Sequence, residues 1–399
     1  MISARKTQYR MIIFVAACAV QGLIWIFFTP AGEPEGDYDY VRVTNEYLGG
    51  NVTNTFKPPL YSIFLLPMMS DGEPGWILFL VQMLFFAAST VLTDLFCERL
   101  GISQRVSFLA ICLEQFYPYY AFSFLRVSDV VLNLLFIKCL VISYPDSSQG
   151  KIRYFLFGLL VGLYSYLRPN VYFILPAFVL FELYLHRYTV LRFLQRYLSI
   201  AAGIFLVILP WVLWTWNVNG SPSLTTTNGG YNLLVGNNRF ASEFIGQRKF
   251  PTPEYVVWQH PEMFCRDWNA QTECEKRNRE NAVQYILENP GEQPALIWLK
   301  FLRYWDIFLP DDNPPVKKIA YTVPFILILV AGLAGLIRAF RKNRDAIILL
   351  AGIQIFHMLP FLLYFSTIRM RIHLDFILMI GAGFLASEIY HRLRGLQDA

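Results

Sequence analysis

The sequence predicts an all-α polytopic membrane protein with about ten transmembrane helices, outer-face loops and one small extramembrane segment. Three observations carry that reading. Of 399 residues, 55% are hydrophobic and only 16% charged, and mean hydropathy is +0.39, whereas soluble domains carry about 25% charged residues. The apolar residues gather in runs close to the ~20 that a helix needs to cross a bilayer. Lys and Arg then fall in alternate loops, as the positive-inside rule requires. The same figures exclude a disordered chain, a collagen-like chain and a small disulfide scaffold. The formal net charge of +5 comes from 34 basic and 29 acidic residues. They are spread over many loops and call for no nucleic acid.

The expected spans, in order, are 11–28, 74–96, 106–124, 128–144, 153–167, 170–186, 198–216, 319–338, 346–365 and 372–390. The first is read as a span rather than a cleaved leader, because the run from Met11 to Phe28 is long and no small-residue cleavage site follows it. Arg5, Lys6 and Arg10 precede it. Later basic loops hold Arg99 and Arg105, Lys151 and Arg153, Arg187 to Arg196, and Arg338 to Arg344, and the tail adds Arg392 and Arg394. With ten spans these all lie on one side, so the expectation is a multi-pass protein of the cell inner membrane with both termini cytoplasmic. Three modules follow. Residues 1–216 form a seven-span module with an outer loop at 29–73, 217–317 form an outer segment with juxtamembrane helices, and 318–399 form a three-span module.

Because nearly all soluble mass is external, the chemistry is expected there too. The first outer loop contains Asp37, Asp39 and Tyr40, followed by Lys57, Pro58, Pro59 and Tyr61. Aspartates are common turn formers, so on this loop alone Asp37 and Asp39 read first as a solvated turn, with site carboxylates as the other open reading. Asp129 opens the fourth span, where a helix cap and a functional acid are both open readings. Arg369 and Arg371 lie at the outer mouth of the last two spans, against the positive-inside tendency. They could snorkel to headgroups or meet an anion, and Arg371 could pair with Asp375 four residues on.

The stretch from Gly229 to Asn238 combines glycines with Tyr231, Asn232 and Asn237. It could form a loop lining a sugar site or a plain connector. An amphipathic piece follows around 280–304. Glu114 and Lys138 lie at similar depth in neighbouring spans and are expected to pair, since an isolated charge there costs about 2.5–3.5 kcal/mol. Cys265 and Cys274 sit in a polar outer stretch and are candidates for a disulfide. No C-x-x-C, H-x-x-x-H or phosphate-binding G-x-x-x-x-G-K-[ST] pattern occurs, so no metal site is assigned and ATP hydrolysis is not expected.

Taken in order, these motifs resemble the GT-C superfamily of membrane glycosyltransferases. The likeness is greatest to the bacterial group of protein O-mannosyltransferases and the lipid A aminoarabinose transferase. The ordered set is Asp37 with Tyr40, Pro58-Pro59-Leu60-Tyr61, Pro118 with Asp129, Leu167-Arg168-Pro169, Pro210-Trp211 with Asn217, Gly229 to Asn238, and Arg369 with Arg371. It runs from about residue 10 to 390. Relatives often carry glutamate where Asp129 stands and arginine where Trp216 stands.

The resemblance implies sugar transfer on the outer face, from a polyprenyl-phosphate-linked donor to a glycan, lipid or protein acceptor, with inversion. Such a transfer passes through an oxocarbenium-like state and needs a carboxylate to take the acceptor's proton. Its phosphate leaving group needs positive charge to hold it. The expected base is Asp37, with Asp39 in reserve and Asp129 assisting. Arg369, Arg371 and Arg168 would hold the donor phosphate, while Tyr40, Lys57, Tyr61, Tyr231, Asn232 and Asn237 would contact substrate. No cofactor is required, although two acids in one loop could hold a divalent cation. A secondary transporter and a membrane O-antigen polymerase or ligase are the competing classes. Transporters favour midplane sites and internal repeats, and the polymerase class is expected to use His and Arg in the large outer loop, where residues 217–317 contain a single histidine, His260.

Overall fold

The computed structural model describes residues 2–28, 37–51, 53–145, 149–185, 190–246, 255–267, 270–307 and 315–397. It is about 80% helical. Helix α1 (Ile2–Phe28) leads to α2 (Tyr38–Leu48), α3 (Pro59–Leu65) and a two-stranded hairpin, β1 (Met69–Ser70) with β2 (Glu73–Pro74). Next come α4 (Trp76–Arg99), α5 (Gln104–Gln115), α6 (Pro118–Phe124), α7 (Val130–Ser143), α8 (Lys151–Ser165) and α9 (Leu175–Leu185). Helix α10 (Val190–Asn219) precedes five helices of the expected outer segment: α11 (Gly229–Gly236), α12 (Ala241–Gly246), α13 (Tyr255–Gln259), α14 (Gln271–Glu288) and α15 (Gln293–Tyr304). The chain closes with α16 (Pro315–Ala339), α17 (Arg344–Leu363), α18 (Ile368–Arg371) and α19 (Asp375–Gln397).

Among the described residues, six helices are long and apolar enough to cross a membrane: α1, α4, α10, α16, α17 and the stretch Ile368–Arg394. The other four apolar runs are helical but shorter or interrupted. The run 106–124 breaks between α5 and α6, because Pro118 can begin a helix but cannot continue one. The run 170–186 starts as a 3₁₀ turn, Pro169–Phe173, before α9. The amphipathic piece around 280–304 is two helices, α14 and α15, parted at Asn289-Pro290-Gly291.

Packing between the long helices relies on close backbone approach, the mode expected where lipid offers no hydrophobic drive. On α8, Gly158-x-x-x-Gly162 lies against α10: a Cβ at Gly158 would sit 2.2 Å from the Ile200 carbonyl oxygen. One buried ion pair inside this bundle is well partnered. Lys138 Nζ lies 3.0 Å from Glu114 Oε2, both side chains fully buried, and also donates to Ser89 Oγ at 3.0 Å. Thr93 donates to Glu114 Oε1 at 2.8 Å. The pair expected from sequence is therefore present, closed by two hydroxyls.

A second, smaller core joins Tyr231, Val235, Val257, Phe264 and Ala282. It lies within residues 217–317, and the Cys265–Cys274 disulfide lies beside it. Phe56, Phe365 and Met370 pack against it or within it, so the loop before α3 and the segment after α17 are tied to this core.

Candidate active site

Four separated pieces of chain converge beside that core. Asp37 caps the start of α2, with its backbone N–H donating to the Val127 carbonyl at 3.0 Å. This bond fixes the acidic loop against the residues just before α7. Tyr61 on α3 accepts from the Ser128 N–H at 2.7 Å and donates to Gln82 at 3.0 Å. Gln82 in turn donates to the Phe124 and Arg126 carbonyls at 3.0 and 2.9 Å. The backbone around 124–129 is thus held by buried side chains rather than by helix, which leaves Asp129 free to turn its carboxylate away from α7. Asp129 occupies the N-cap position but makes no side-chain cap bond.

Both candidate acids instead face cations. Arg168 embraces Asp129 from the side, with Nε 2.6 Å from Oδ2 and Nη2 2.8 Å from Oδ1. Arg369, from α18, reaches Asp37 Oδ2 at 2.9 Å and Asp129 Oδ1 at 3.4 Å. Lys57 Nζ lies 3.3 Å from Asp37 Oδ2 and 3.4 Å from Asp39 Oδ2. Arg42 pairs with Asp39 at 3.3 Å, and the Tyr40 hydroxyl is 3.4 Å from Asp129 Oδ2. Three carboxylates therefore meet four cations, a local balance of 4 − 3 = +1. Burial would raise the Asp37 carboxyl, but the Lys57 ammonium and the Arg369 guanidinium outweigh it and hold it well below the usual carboxylate range. Asp129 is fully buried, while the Asp39 and Arg369 side chains are 45% and 40% exposed, so the cluster opens to solvent past these two residues.

No family model and no curated sequence matches this chain.

The structure brings Asp37, Asp39, Asp129, Tyr40, Lys57, Arg168 and Arg369 together. It separates others from them. Arg371, expected to hold phosphate, is fully buried, with Nε 3.1 Å from Asp375 Oδ1 and its guanidinium 3.6 Å above the Phe325 ring. It faces the opposite side of a tight turn from Arg369. Asp375 is also bound by the Tyr117 hydroxyl at 2.6 Å. Tyr61, expected to touch substrate, is buried with its hydroxyl committed to Ser128 and Gln82, so it positions backbone.

The stretch 229–238 is not an open loop. Gly229–Gly236 is a helix, and its glycines permit contact: a Cβ at Gly230 would lie 2.2 Å from the Glu275 carbonyl, and one at Gly236 would lie 1.6 Å from that of Tyr364. Tyr231 packs edge-on against Phe56 at 5.4 Å. Asn232 is half-buried on α11. Asn237 donates to the Leu233 and Leu363 carbonyls, both at 2.8 Å, and accepts from Lys300 at 2.9 Å. Asn237 is thus a structural clamp rather than a substrate contact. Lys300 also donates to the Leu363 carbonyl at 3.0 Å, and burial pushes its ammonium down to about 7.

Sequence reasoning missed two features. One is that Lys57 faces the acids of its own loop, for which the alternation Asp37, Asp39, Lys57 gave no signal. The other is a buried relay behind Arg168. Asn170 lies 3.0 Å from His357 Nε2, which is 2.9 Å from His373 Nε2, and the Tyr304 hydroxyl is 3.1 Å from His357 Nδ1. These residues are spread over four segments, so spacing alone could not connect them. Among the described residues no group of three or more His, Cys, Asp or Glu side chains is arranged to hold a metal ion.

Proposed function

We propose that this protein is an integral membrane glycosyltransferase of the GT-C type. In this reading ten segments traverse the bilayer, both termini are cytoplasmic, and the site faces the exterior or periplasm. The reaction moves a sugar from a polyprenyl-phosphate donor to an acceptor hydroxyl. The observation that carries it is Arg369 bridging Asp37, 332 residues away in sequence, and Asp129, 240 residues away. That arrangement puts a carboxylate next to an outward-facing guanidinium, the pair that the reaction needs.

In the step itself the acceptor oxygen bonds to the anomeric carbon while the bond from that carbon to the phosphate oxygen breaks. The bonding electrons leave with polyprenyl phosphate, and the hydroxyl proton passes to Asp37. A single displacement inverts the anomeric centre. Asp37 is a weak base while Lys57 and Arg369 both face it. Negative charge gathering on the departing phosphate draws those cations toward it and returns basicity to Asp37 as the proton must move. Arg168 keeps Asp129 ionised and fixed, so that Asp129 orients Arg369 and Tyr40. Arg371 is left out of this assignment, and no divalent cation is required by it.

The test is direct. Purified protein is incubated with a radiolabelled polyprenyl-phosphate sugar and membrane-derived acceptors. Label appearing in product or as released sugar with the native protein, and not with Asp37→Asn, supports the reading. Equal release by the two proteins removes it.

A further inference from the structure

A wide cleft lies outside the carboxylate cluster, between residues 218–227 and the first half of α14, with Thr53 at one end. Its volume is about 1270 Å³, above the ~300–1,000 Å³ of sites for single small molecules. An elongated ligand therefore suits it better than one metabolite. The lining is rich in hydroxyl and amide groups, among them Ser221, Ser223, Thr226, Thr272 and Asn219, with no aromatic ring. Several of these hydroxyls already donate inward, Ser223 to the Thr226 carbonyl at 2.9 Å and Thr226 to Asn228 at 2.8 Å. Their remaining lone pairs accept from a ligand. Carboxylates at Glu273, Glu275 and Glu280 add acceptors, nearly balanced by Lys276 and Arg279. Such a surface matches a ligand that is itself dense in hydroxyl donors and carries little charge. An acyl chain would find too little apolar wall here.

The cleft is built into the candidate site rather than remote from it. Thr55 ties its floor together: its N–H donates to Gln271 at 2.9 Å, its carbonyl accepts from the Thr227 N–H at 2.9 Å, and its hydroxyl accepts from Asn219 at 3.2 Å. Two residues further on, Lys57 faces Asp37 and Asp39. Two residues of extended chain span at most about 7 Å. The floor of the cleft and the residue that faces the acids are therefore joined by a short piece of the same chain.

We propose that this cleft holds the acceptor, and that the acceptor is an oligosaccharide rather than a polypeptide or a simple lipid. The inference rests on the glycosyltransferase reading for the word acceptor, though not for binding itself. Ser221→Trp and Thr272→Trp would fill the cleft from its two walls, and neither side chain belongs to the carboxylate cluster. The probes are oligosaccharides released from the lipid-linked glycans of the native host membrane, titrated into full-length protein in detergent, together with transfer from a labelled polyprenyl-phosphate sugar. The native protein and Asp37→Asn should bind the oligosaccharides equally. Each tryptophan variant should bind them at least tenfold more weakly, while its unfolding temperature in detergent stays at the native value. Absence of oligosaccharide binding by the native protein, equal binding by both tryptophan variants, or label recovered in polypeptide overturns the inference. Oligosaccharide binding that is lost in the tryptophan variants, in a protein that never turns over donor, upholds the cleft and removes only the transferase reading.

Discussion

Replacing Asp37 with asparagine keeps the shape of the side chain and removes one negative charge. The two cations that face it are not abandoned, because Lys57 still has Asp39 at 3.4 Å and Arg369 still has Asp129 at 3.4 Å. The stability cost should therefore be about 1–3 kcal/mol, less than the 3–5 kcal/mol for stripping a fully buried charge of its only partner. The local charge balance rises from +1 to +2. For a phosphate about 6 Å away, one extra unit of attraction is worth about 0.7–2.8 kcal/mol between water-like screening and an effective dielectric of about 20. Donor affinity should thus hold or improve, by about threefold to a hundredfold. Turnover should fall by about 10²–10⁴, the usual contribution of a general base, or about 2.7–5.5 kcal/mol in the barrier. The assay is steady-state transfer from a labelled polyprenyl-phosphate sugar, with kcat and donor KM measured separately. A loss of turnover below tenfold, or a donor KM that rises in step with the loss, would refute the assignment of Asp37 as the base.

Arg369→Ala removes the outward-facing cation and should raise donor KM at least tenfold while kcat at saturation falls less; an unchanged KM detaches Arg369 from the phosphate. Glu114→Gln or Lys138→Met alone should each destabilise by about 3–5 kcal/mol, whereas the double variant should regain most of that loss, which a thermal unfolding cycle in detergent resolves. Lys300 titrates near 7 in the folded protein and near 10.4 when unfolded. The unfolded chain therefore binds the extra proton between these values, and stability should rise with pH from about 7 to 10.5, by at most about 1.4 kcal/mol per pH unit. Lys300→Met should flatten that rise in melting temperatures taken at pH 7, 8 and 9. Asp37 has the same sign in a different window: with its pKa also depressed when folded, its ion pairs stabilise fully at neutral pH and weaken only as the pH falls below about 4.

Much of this protein is legible along the chain because bilayer solvation is a one-dimensional constraint. A run of apolar residues must be helical wherever backbone polar groups cannot reach water, so composition and run length alone indicate α1, α4, α10, α16, α17 and α19. Glu114 and Lys138 were legible for a related reason, since an unpaired charge at that depth is too costly to persist. Asp37, Asp129 and Arg369 could be singled out as charges placed at the ends of apolar runs.

Which of those charges meet was decided elsewhere. Arg369 and Arg371 are two residues apart on one short turn, and the turn sends one toward Asp37 and the other into a buried pair with Asp375. Asn237 and Tyr61 have the composition of substrate contacts, yet Lys300 and Ser128, brought near by chain distant in sequence, take up their hydrogen bonds. Gly229–Gly236 reads as a loop until the Glu275 and Tyr364 carbonyls come close enough that only glycine fits against them. The sequence determines which segments leave water and which charges lie at their ends, because each segment settles that against its own solvent. The partner of each charge depends on a rotation about a helix axis and a crossing of distant helices, and packing in three dimensions alone sets those.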